Sequence, residues 1–208
     1  MNQPLAYVHP GAKIANNVVI EPFVTISNNV IIGEGTWIGS NVTIMEGARI
    51  GKNCNIYSGA VISAPPQDLK YAGEETRLVV GKRNRIREGA TLNLGTAGGG
   101  GLTQVGDDCL FMTGAHVGHD VIVGNRVIMA NQSALAGHCI VDDDVIIGGL
   151  SGIHQWVRIG KGAIIGAVTM VTNDVIPHGL VQGPRGTLDG LNLVGLKRKG
   201  VDRTDIMA

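Results

Sequence analysis

Aromatic residues are scarce in this chain of 208 residues, at 3% of the sequence against 44% for apolar residues as a whole. A core built from this sequence is therefore aliphatic, filled by valine, isoleucine, leucine and alanine. Basic and acidic residues balance at 17 each, which predicts no general electrostatic attraction to nucleic acid or to an anionic membrane. The sequence also lacks an apolar stretch of the roughly 18 residues that a membrane span needs. We therefore expect neither nucleic-acid binding nor membrane insertion.

Cysteine is rare as well. Cys54, Cys109 and Cys139 are scattered without the spacing of a metal site. The odd number of cysteines, and an N-terminus without the charged and apolar regions of a secretory signal, indicate reduced thiols in a cytosol. We therefore predict a cytoplasmic protein in which the three cysteines are small, buried hydrophobic residues.

A six-residue hydrophobic period runs through most of the chain. From Val8 to Ile62, every sixth residue is valine or isoleucine. The period resumes at Val80 and, after a shift of one residue, continues from Val105 to Val171. Glycine, asparagine or aspartate often follows within three positions, and these residues tolerate the positive φ of a tight corner. The pattern predicts short strands separated by bends.

Three such units close a triangular coil of 18 residues, and stacked coils hydrogen-bond at the usual strand spacing of about 4.8 Å. Stacking buries each aliphatic side chain, at roughly 1.5–3 kcal/mol before the cost of chain entropy. The sequence therefore predicts an all-β fold, a parallel β-helix over residues 1–173. Residues 63–79 and 93–104 lose the period and are predicted to be loops. Residues 174–208 are predicted to form an irregular exit followed by the start of a helical region.

Four of the six histidines fall between positions 116 and 154, in the second half of the predicted solenoid. In a coil of 18 residues, position 119 stacks on position 137, and position 120 on position 138. We therefore expect one cluster on neighbouring coils, formed by His119, Asp120, Gly137, His138, His154 and Gln155. A histidine beside a carboxylate is suited to proton transfer, because the anion stabilises the imidazolium. We predict that His119 is a general base and that the amide of Gly137 stabilises an oxyanion.

Two alternatives use the same residues. Histidines around one corner could bind zinc, as in the β-helical carbonic anhydrases. His116 and His119 are only three positions apart, however, and in a coil of period six we expect them to lie on different faces and to diverge. We therefore predict no metal site. A non-catalytic scaffold is the other alternative, which histidines in register disfavour.

Six segments carry a resemblance to a known family. They are P-Q-D-L-K-Y-A-G-E-E-T-R (66–77), R-N-R-I-R-E (83–88), A-H-V-G-H-D (115–120), L-A-G-H (135–138), I-H-Q-W (153–156) and G-L-N-L-V-G-L-K-R-K-G (190–200). They resemble the UDP-N-acetylglucosamine O-acyltransferases, which catalyse the first step of lipid A biosynthesis, and the resemblance covers nearly the whole chain. It implies a left-handed parallel β-helix. It also implies transfer of a 3-hydroxyacyl group from acyl carrier protein to the glucosamine 3-position of UDP-N-acetylglucosamine.

The resemblance implies roles for individual residues. His119 removes the proton from the sugar's 3-hydroxyl, Asp120 supports the imidazolium, and Gly137 holds the oxyanion. Substrate contacts are implied for Gln67, Asp68, Lys70, His116, His138, His154, Gln155, Ala167 and Arg198. Ala167 matches the position that caps the acyl groove, where a small side chain admits a longer acyl chain. The donor is the phosphopantetheine thioester of acyl carrier protein, with no separate cofactor and no metal.

The resemblance further implies a homotrimer with active sites between subunits, in the cytoplasm of a Gram-negative bacterium. The chain departs from the family pattern at Leu94, which replaces arginine in a T-I-x-R-G-T motif, and at Arg185, which replaces a histidine. We therefore expect the second loop to bind differently. Relatives continue beyond the position of Ala208 into a helical domain. Another hexapeptide acyltransferase, acting on an amino nucleotide sugar, stays open as an alternative, as do the acyl length and the acceptor atom.

Overall fold

Short parallel strands dominate the computed structural model of the protein, which describes residues 3–183 and 186–207. Most strands are two residues long and stack into three sheets, which form the faces of a triangular prism. Outside the loops, paired strands lie 18 residues apart, as in the pairing of His116 with Ala134 and of Ala134 with Gly152. This confirms the predicted left-handed parallel β-helix with three strands in each coil.

We name the faces A, B and C in the order in which the chain visits them. Face A consists of the strands Tyr7–Val8, Thr25–Ile26, Thr43–Ile44, Val61–Ala64, Thr91–Asn93, His116–Val117, Ala134–Leu135, Gly152–Ile153 and Met170–Val171. Face B consists of Lys13–Ile14, Ile31–Ile32, Ala48–Ile50, Arg77–Val80, Leu102–Val105, Ile122–Val123, Ile140–Val141 and Arg158–Ile159. Face C consists of Val19–Ile20, Trp37–Ile38, Asn55–Ile56, Arg85–Ile86, Leu110–Phe111, Ile128–Met129, Ile146–Ile147, Ile164–Ile165, Gly179–Gln182 and Thr187–Leu191. The A–B, B–C and C–A corners are the bends between successive faces.

The core is one column of aliphatic side chains along the axis of the prism. The predicted inward positions between Ile26 and Val171 are buried, each at most 3% exposed. A second inward position, two residues earlier in each unit, holds smaller residues, and the six-residue count did not predict it. Cys54, Cys109 and Cys139 occupy this second position, buried and without disulfides. This confirms that the three cysteines are small core residues.

Both loops are shorter than the sequence pattern predicts. The prediction that residues 77–79 and 102–104 belong to loops is wrong, because Arg77–Val80 and Leu102–Val105 pair with each other in register on face B. Leu78 takes the second inward position and is fully buried. A count based only on every sixth residue missed this strand for that reason.

The remaining loops are residues 65–76 and residues 94–101, called the first and second loop below. The second loop contains a 3-10 helix at Ala97–Gly99. Leu94, which replaces the arginine of the family motif, is 7% exposed and packs in the hydrophobic core. It therefore holds the second loop to the solenoid by burying apolar surface.

The exit from the solenoid is more regular than predicted. The prediction of an irregular chain from residue 174 is wrong for Gly179–Gln182, which pairs in parallel with Ile164–Ile165 on face C. Paired residues such as Ile165 and Val181 are 16 rather than 18 positions apart. The last coil is therefore two residues short, so the six-residue count loses it.

After this strand the chain turns back, and Thr187–Leu191 pairs antiparallel with Gly179–Gln182. The predicted helical region begins with two short helices, α1 (Leu193–Arg198) and α2 (Arg203–Met207). No helix in the described part of the chain has the length and hydrophobicity that crossing a bilayer requires. Arg185, a predicted departure from the family pattern, lies outside the described residues.

Candidate active site

The A–B corner in the second half of the solenoid carries the histidine cluster. His119 and Asp120 follow a strand of face A, and Gly137 and His138 follow its neighbour one coil above. The amide of His138 donates a hydrogen bond to the carbonyl of His119 at 3.0 Å, which joins the two levels. Asp120 and His138 have φ values of 59° and 63°, the left-handed conformation in which the chain turns this corner. Residues 18 apart are stacked here, as the sequence predicts.

His119 and Asp120 form a buried, hydrogen-bonded pair. Each is 6% exposed, and Nδ1 of His119 lies 2.8 Å from Oδ2 of Asp120. An ionised carboxylate only accepts hydrogen bonds, so Nδ1 carries the proton and Nε2 keeps a free lone pair. Nε2 lies against Gly137, since a Cβ added there would be 2.6 Å from it. The pair therefore presents a base toward the coil above.

The second loop fixes the carboxylate of Asp120. The amide of Thr96 donates to Oδ1 and its hydroxyl donates to Oδ2, both at 2.7 Å. The hydroxyl of Thr103 accepts a hydrogen bond from the amide of Asp120 at 2.8 Å. Gly99 packs so closely that a Cβ there would overlap the carboxylate. Sequence reasoning missed these three residues, although the shift of the repeat by one residue across this loop was a signal.

A cleft of about 170 Å³ opens beside His119. It is lined by residues of the predicted site and of the coil below, namely Gln67, Asn93, His116, Gly118, His119, Ala136, Gly137 and Gln155. The expectation that His116 and His119 diverge is wrong. The two histidines flank a single corner, and both side chains reach the cleft beside it.

Two of the histidines are held neutral near pH 7. Burial lowers the pKa of His116 from its ordinary value, and the charge of nearby His119 adds to this effect. Burial also lowers the pKa of His138, against the opposing attraction of Asp120. Nδ1 of His116 lies 2.7 Å from the hydroxyl of Thr91. Each neutral ring can therefore offer one donor and one acceptor to a ligand, but no fixed charge.

An aromatic stack continues the cluster upward. The rings of His138 and Trp156 are parallel with centroids 3.8 Å apart, and His119 meets His138 edge-on at 5.0 Å. Trp156 is 66% exposed and has a φ of 69°, an unusual conformation for a bulky side chain. His154 is exposed just before it, with Nδ1 3.1 Å from the carbonyl of Gln155. The sequence places Trp156 above His138 but gave it no role.

Asn93 belongs to the wall of the cleft, and sequence reasoning missed it. Its amide nitrogen donates to the carbonyls of Ala64 at 3.3 Å and Pro65 at 2.7 Å, which fixes the start of the first loop. Oδ1 of Asn93 is buried and accepts no hydrogen bond from the described residues. A buried acceptor without a partner is destabilising, by roughly 1–3 kcal/mol. No signal in the repeat distinguishes this position.

The first loop brings part of the predicted sugar site to the cluster. Gln67 reaches the cleft, and Asp68 is near enough to His138 for its charge to favour the protonated ring. The side chain of Asp68 accepts a hydrogen bond from the amide of Lys70 at 3.0 Å. Lys70 itself is exposed, and no hydrogen bond or ion pair ties its ammonium group to the described cluster. The first loop therefore presents Lys70 to solvent beside the site.

Two predicted contacts do not join the cluster within one chain. Ala167 is exposed at the C–A corner, after the strand Ile164–Ile165. Arg198 is exposed at the end of α1, which runs along the B–C corner because Lys199 pairs there with Asp144 at 3.1 Å. The histidines, Ala167 and Arg198 therefore occupy three different corners of the prism.

The cluster also has a geometry that a metal ion could use. One ligand atom each from His119, Asp120 and His138 lie within 4.8 Å of one another. However, both oxygens of Asp120 already accept hydrogen bonds from Thr96, and one of them also bonds to His119. His116, the third histidine that a three-histidine zinc site needs, bonds to Thr91 instead. This donor set fits proton transfer better than zinc coordination.

Two family descriptions match the sequence. Residues 29–64 and 102–137 match bacterial transferase hexapeptide (six repeats), and residues 174–208 match domain 2 of UDP-N-acetylglucosamine O-acyltransferase. An acyl-[acyl-carrier-protein]–UDP-N-acetylglucosamine O-acyltransferase of Paracoccus denitrificans is 69% identical over 143 residues, which are 69% of this chain and 55% of the relative. One of Anaeromyxobacter is 52% identical over 141 residues, which are 68% of this chain and 55% of that relative. The chain therefore spans about half the length of these sequence relatives.

Solved structures with the same family name superpose closely. LpxA of Acinetobacter baumannii has a TM-score of 0.97 and 39% identity, over 98% of this chain and 79% of that one. A UDP-N-acetylglucosamine acyltransferase of Francisella novicida also has a TM-score of 0.97, with 40% identity over 100% of this chain and 76% of that one. Such identity over most of a solved relative, together with the shared coil, shows common ancestry. The chain belongs to the UDP-N-acetylglucosamine O-acyltransferase family of hexapeptide-repeat proteins.

Proposed function

We propose that this chain carries the active site of an enzyme that transfers a 3-hydroxyacyl group from acyl carrier protein to the 3-hydroxyl of UDP-N-acetylglucosamine, the first step of lipid A biosynthesis. The observation that carries the proposal is the buried His119–Asp120 pair, whose free Nε2 borders a cleft beside Gly137. The printed names of the sequence relatives supply the donor and the acceptor.

In the proposed reaction, Nε2 of His119 takes the proton of the sugar's 3-hydroxyl as its oxygen attacks the thioester carbonyl carbon. A carbon–oxygen bond forms and the carbonyl oxygen becomes an oxyanion. The carbon–sulfur bond then breaks, and the imidazolium returns the proton to the departing thiolate of phosphopantetheine. The products are an ester and a free thiol. General-base catalysis of this kind contributes roughly 10²–10⁴-fold to the rate.

Gly137 is suited to hold the oxyanion. Its amide donates no hydrogen bond to any described residue, and it lies beside the imidazole of His119. A free backbone N–H at the reacting carbonyl stabilises the charge that develops in the transition state. Asp120 stabilises the imidazolium through Nδ1, and we assign no step to a cofactor or metal.

The remaining residues of the cluster are proposed to bind the two substrates. The first loop supplies Gln67, Asp68 and Lys70 to the sugar. Neutral imidazoles and amides suit the hydroxyl and amide groups of a nucleotide sugar and of pantetheine, and we assign these contacts to His116, His138, His154 and Gln155. Arg198 is proposed to contact phosphate or the carrier protein, because a guanidinium matches phosphate oxygens.

A homotrimer would bring the three corners of different chains together. In one chain the histidines, Ala167 and Arg198 are separated by whole faces of the prism, so one extended substrate needs residues of neighbouring chains to meet all three. Exposed apolar residues support contacts there: Leu150 and Val168 at the C–A corner are 66% and 61% exposed. We propose that each site lies between two subunits. Light scattering should then give about three times the 21.7 kDa of one chain.

The acceptor atom decides between the two acyltransferase hypotheses. Purified protein is incubated with 3-hydroxyacyl carrier protein and UDP-N-acetylglucosamine, and the product is analysed by mass spectrometry before and after mild alkali. An added acyl group that alkali removes indicates an ester, whereas an alkali-stable product from an amino nucleotide sugar indicates an amide. His119→Ala is expected to remain folded and form no product. An active His119→Ala protein would show that the proposed base is wrong.

The carbonic anhydrase alternative has an observation of its own in the group of His119, Asp120 and His138. Hydrogen bonds already occupy the oxygens of Asp120, so we favour the acyltransferase. Elemental analysis of the purified protein separates the two, because a zinc enzyme contains stoichiometric metal. A cytoplasmic location in a Gram-negative bacterium is part of the proposal, and the three free cysteines are consistent with it.

A further inference from the structure

We infer that Thr96 is a positioning residue, which holds the carboxylate of Asp120 toward His119 and thereby fixes the base on Nε2. The kinetic consequence rests on the proposed function, but the structural consequence for the histidine does not. The second loop would then be part of the catalytic apparatus, although none of its residues has been assigned a role in the chemistry.

The hydrogen bonds around Thr96 have only one consistent direction. The amide of Gly99 donates to Oγ1 of Thr96 at 3.1 Å, so the hydroxyl's own proton is free to point elsewhere. It points to Oδ2 of Asp120 at 2.7 Å, the oxygen that also accepts from Nδ1 of His119. A chain of three donors therefore ends on one buried oxygen, and successive hydrogen bonds of this kind polarise and strengthen one another.

Thr96 holds both oxygens of the carboxylate. Its amide donates to Oδ1 and its hydroxyl to Oδ2, so the carboxyl plane cannot rotate without losing at least one of two short bonds. Hydrogen bonds to a charged group are stronger than those between neutral groups. The side chain of Asp120 is 1% exposed, so water does not replace a bond that is lost.

A second histidine competes for the same oxygen. Nε2 of His138 lies 3.8 Å from Oδ2 of Asp120, on the side away from an ideal bond to His119. With the hydroxyl of Thr96 in place, Oδ2 is held at 2.8 Å from Nδ1 of His119. Without it, the carboxylate can turn toward His138. The proton on His119 is then no longer confined to Nδ1, and a ring with its proton on Nε2 cannot act as the base.

The test compares Thr96→Val, which removes the hydroxyl at nearly constant volume, with Thr96→Ser, which restores it. Thr76→Val is the matched control, because Thr76 is also 6% exposed and its buried hydroxyl has no partner among the described residues. We expect Thr96→Val to lower kcat by roughly 10- to 100-fold with little change in either KM, as for loss of a hydrogen bond to a charged group. Thr96→Ser should recover most of kcat, and Thr76→Val should match the wild type.

A second readout does not need turnover. The nitrogen-15 shifts of the His119 ring report which nitrogen carries the proton, and they can be recorded at a pH where the ring is neutral. Wild type, Thr96→Ser and Thr76→Val should show the proton on Nδ1, whereas Thr96→Val should show a mixture. A merely structural role for Thr96 would lower the melting temperature but leave these shifts in place.

The inference is overturned if Thr96→Val keeps the proton of His119 on Nδ1, or if Thr96→Ser is as impaired as Thr96→Val. Failure of the proposed function looks different. In that case wild-type protein forms no acylated product, while the nitrogen-15 comparison still decides the role of Thr96.

Discussion

The imidazole of His119 lies directly against Gly137 of the next coil, where an added Cβ would be 2.5 Å from Cε1 and 2.6 Å from Nε2 of the ring. Gly137→Ala should therefore push the ring out of position without a backbone penalty, since Gly137 is not among the glycines with positive φ. A misplacement of about 1 Å can cost on the order of 10²-fold in rate. We expect kcat to fall by about that factor, measured with acyl carrier protein and UDP-N-acetylglucosamine.

The control for this substitution is Gly98→Ala. Gly98 is exposed on the 3-10 helix of the second loop, and an added Cβ meets nothing within 4 Å. It should retain wild-type activity and melting temperature. A Gly137→Ala enzyme as fast as Gly98→Ala would show that the ring of His119 adjusts freely, and that close packing at Gly137 is not needed.

Neighbouring glycines of the second loop give a separate prediction. A Cβ on Gly99 would overlap the carboxylate of Asp120, whereas one on Gly98 would enter open space. Gly99→Ala should therefore displace Asp120 and lower kcat by at least 10-fold, the size of effect expected when a hydrogen bond to a charged group is lost. Circular dichroism and thermal melting should show that the solenoid is intact. Equal activity in the two variants would mean that the loop moves to admit the methyl group.

The six-residue period was enough to predict the prism, its coil of 18 residues and the stacking of His119 under Gly137. These follow from counting, because every coil without an insertion has the same length. Counting fails where the coil length changes. It missed Arg77–Val80 beside the first loop and Gly179–Gln182 in the shortened last coil.

The parts of the site supplied by irregular chain were harder to predict. Thr96 and Asn93 reach the cluster because of the path of the second loop and of the strand before it, and neither residue type signals catalysis. The separation of Ala167 and Arg198 from the histidines could have been predicted by assigning each position to a corner of the prism. The sequence resemblance grouped them by function, whereas the fold of one chain places them apart.

Ala167 provides a test of acyl selectivity. If it caps the acyl groove, Ala167→Met should shift the preference toward shorter acyl chains by filling the end of the groove with three further heavy atoms. Each methylene that no longer fits should cost about 0.8 kcal/mol, or roughly fourfold in kcat/KM. The measurement is kcat/KM for 3-hydroxyacyl carrier proteins of graded length. An unchanged preference would remove Ala167 as the residue that limits chain length.

The B–C corner offers a prediction about stability rather than catalysis. Asp144 bonds to Arg126 at 2.8 Å and to Lys199 at 3.1 Å, and these contacts tie α1 to the solenoid. The hydrogen bond from Arg126 is the largest cause that lowers the pKa of Asp144 to about 2, from an ordinary value of 3.8. A carboxyl group with a lowered pKa stabilises the folded state above its unfolded pKa, and this stabilisation is lost as the pH falls through the folded value.

Asp144→Asn should therefore lower the free energy of unfolding at pH 7 by about 1–2 kcal/mol, allowing for the half-exposed guanidinium of Arg126. The difference between the variant and the wild type should persist down to about pH 4 and narrow between pH 4 and pH 2, as the wild-type carboxyl takes up its proton. Urea unfolding at several pH values measures this difference. Asp142→Asn is the matched control, because Asp142 is exposed and forms no ion pair within the described chain, so it should match the wild type at pH 7. A destabilisation of Asp144→Asn that stays constant down to pH 2 would show that the amide disturbs packing at this corner, and that the charge of Asp144 is not what holds α1.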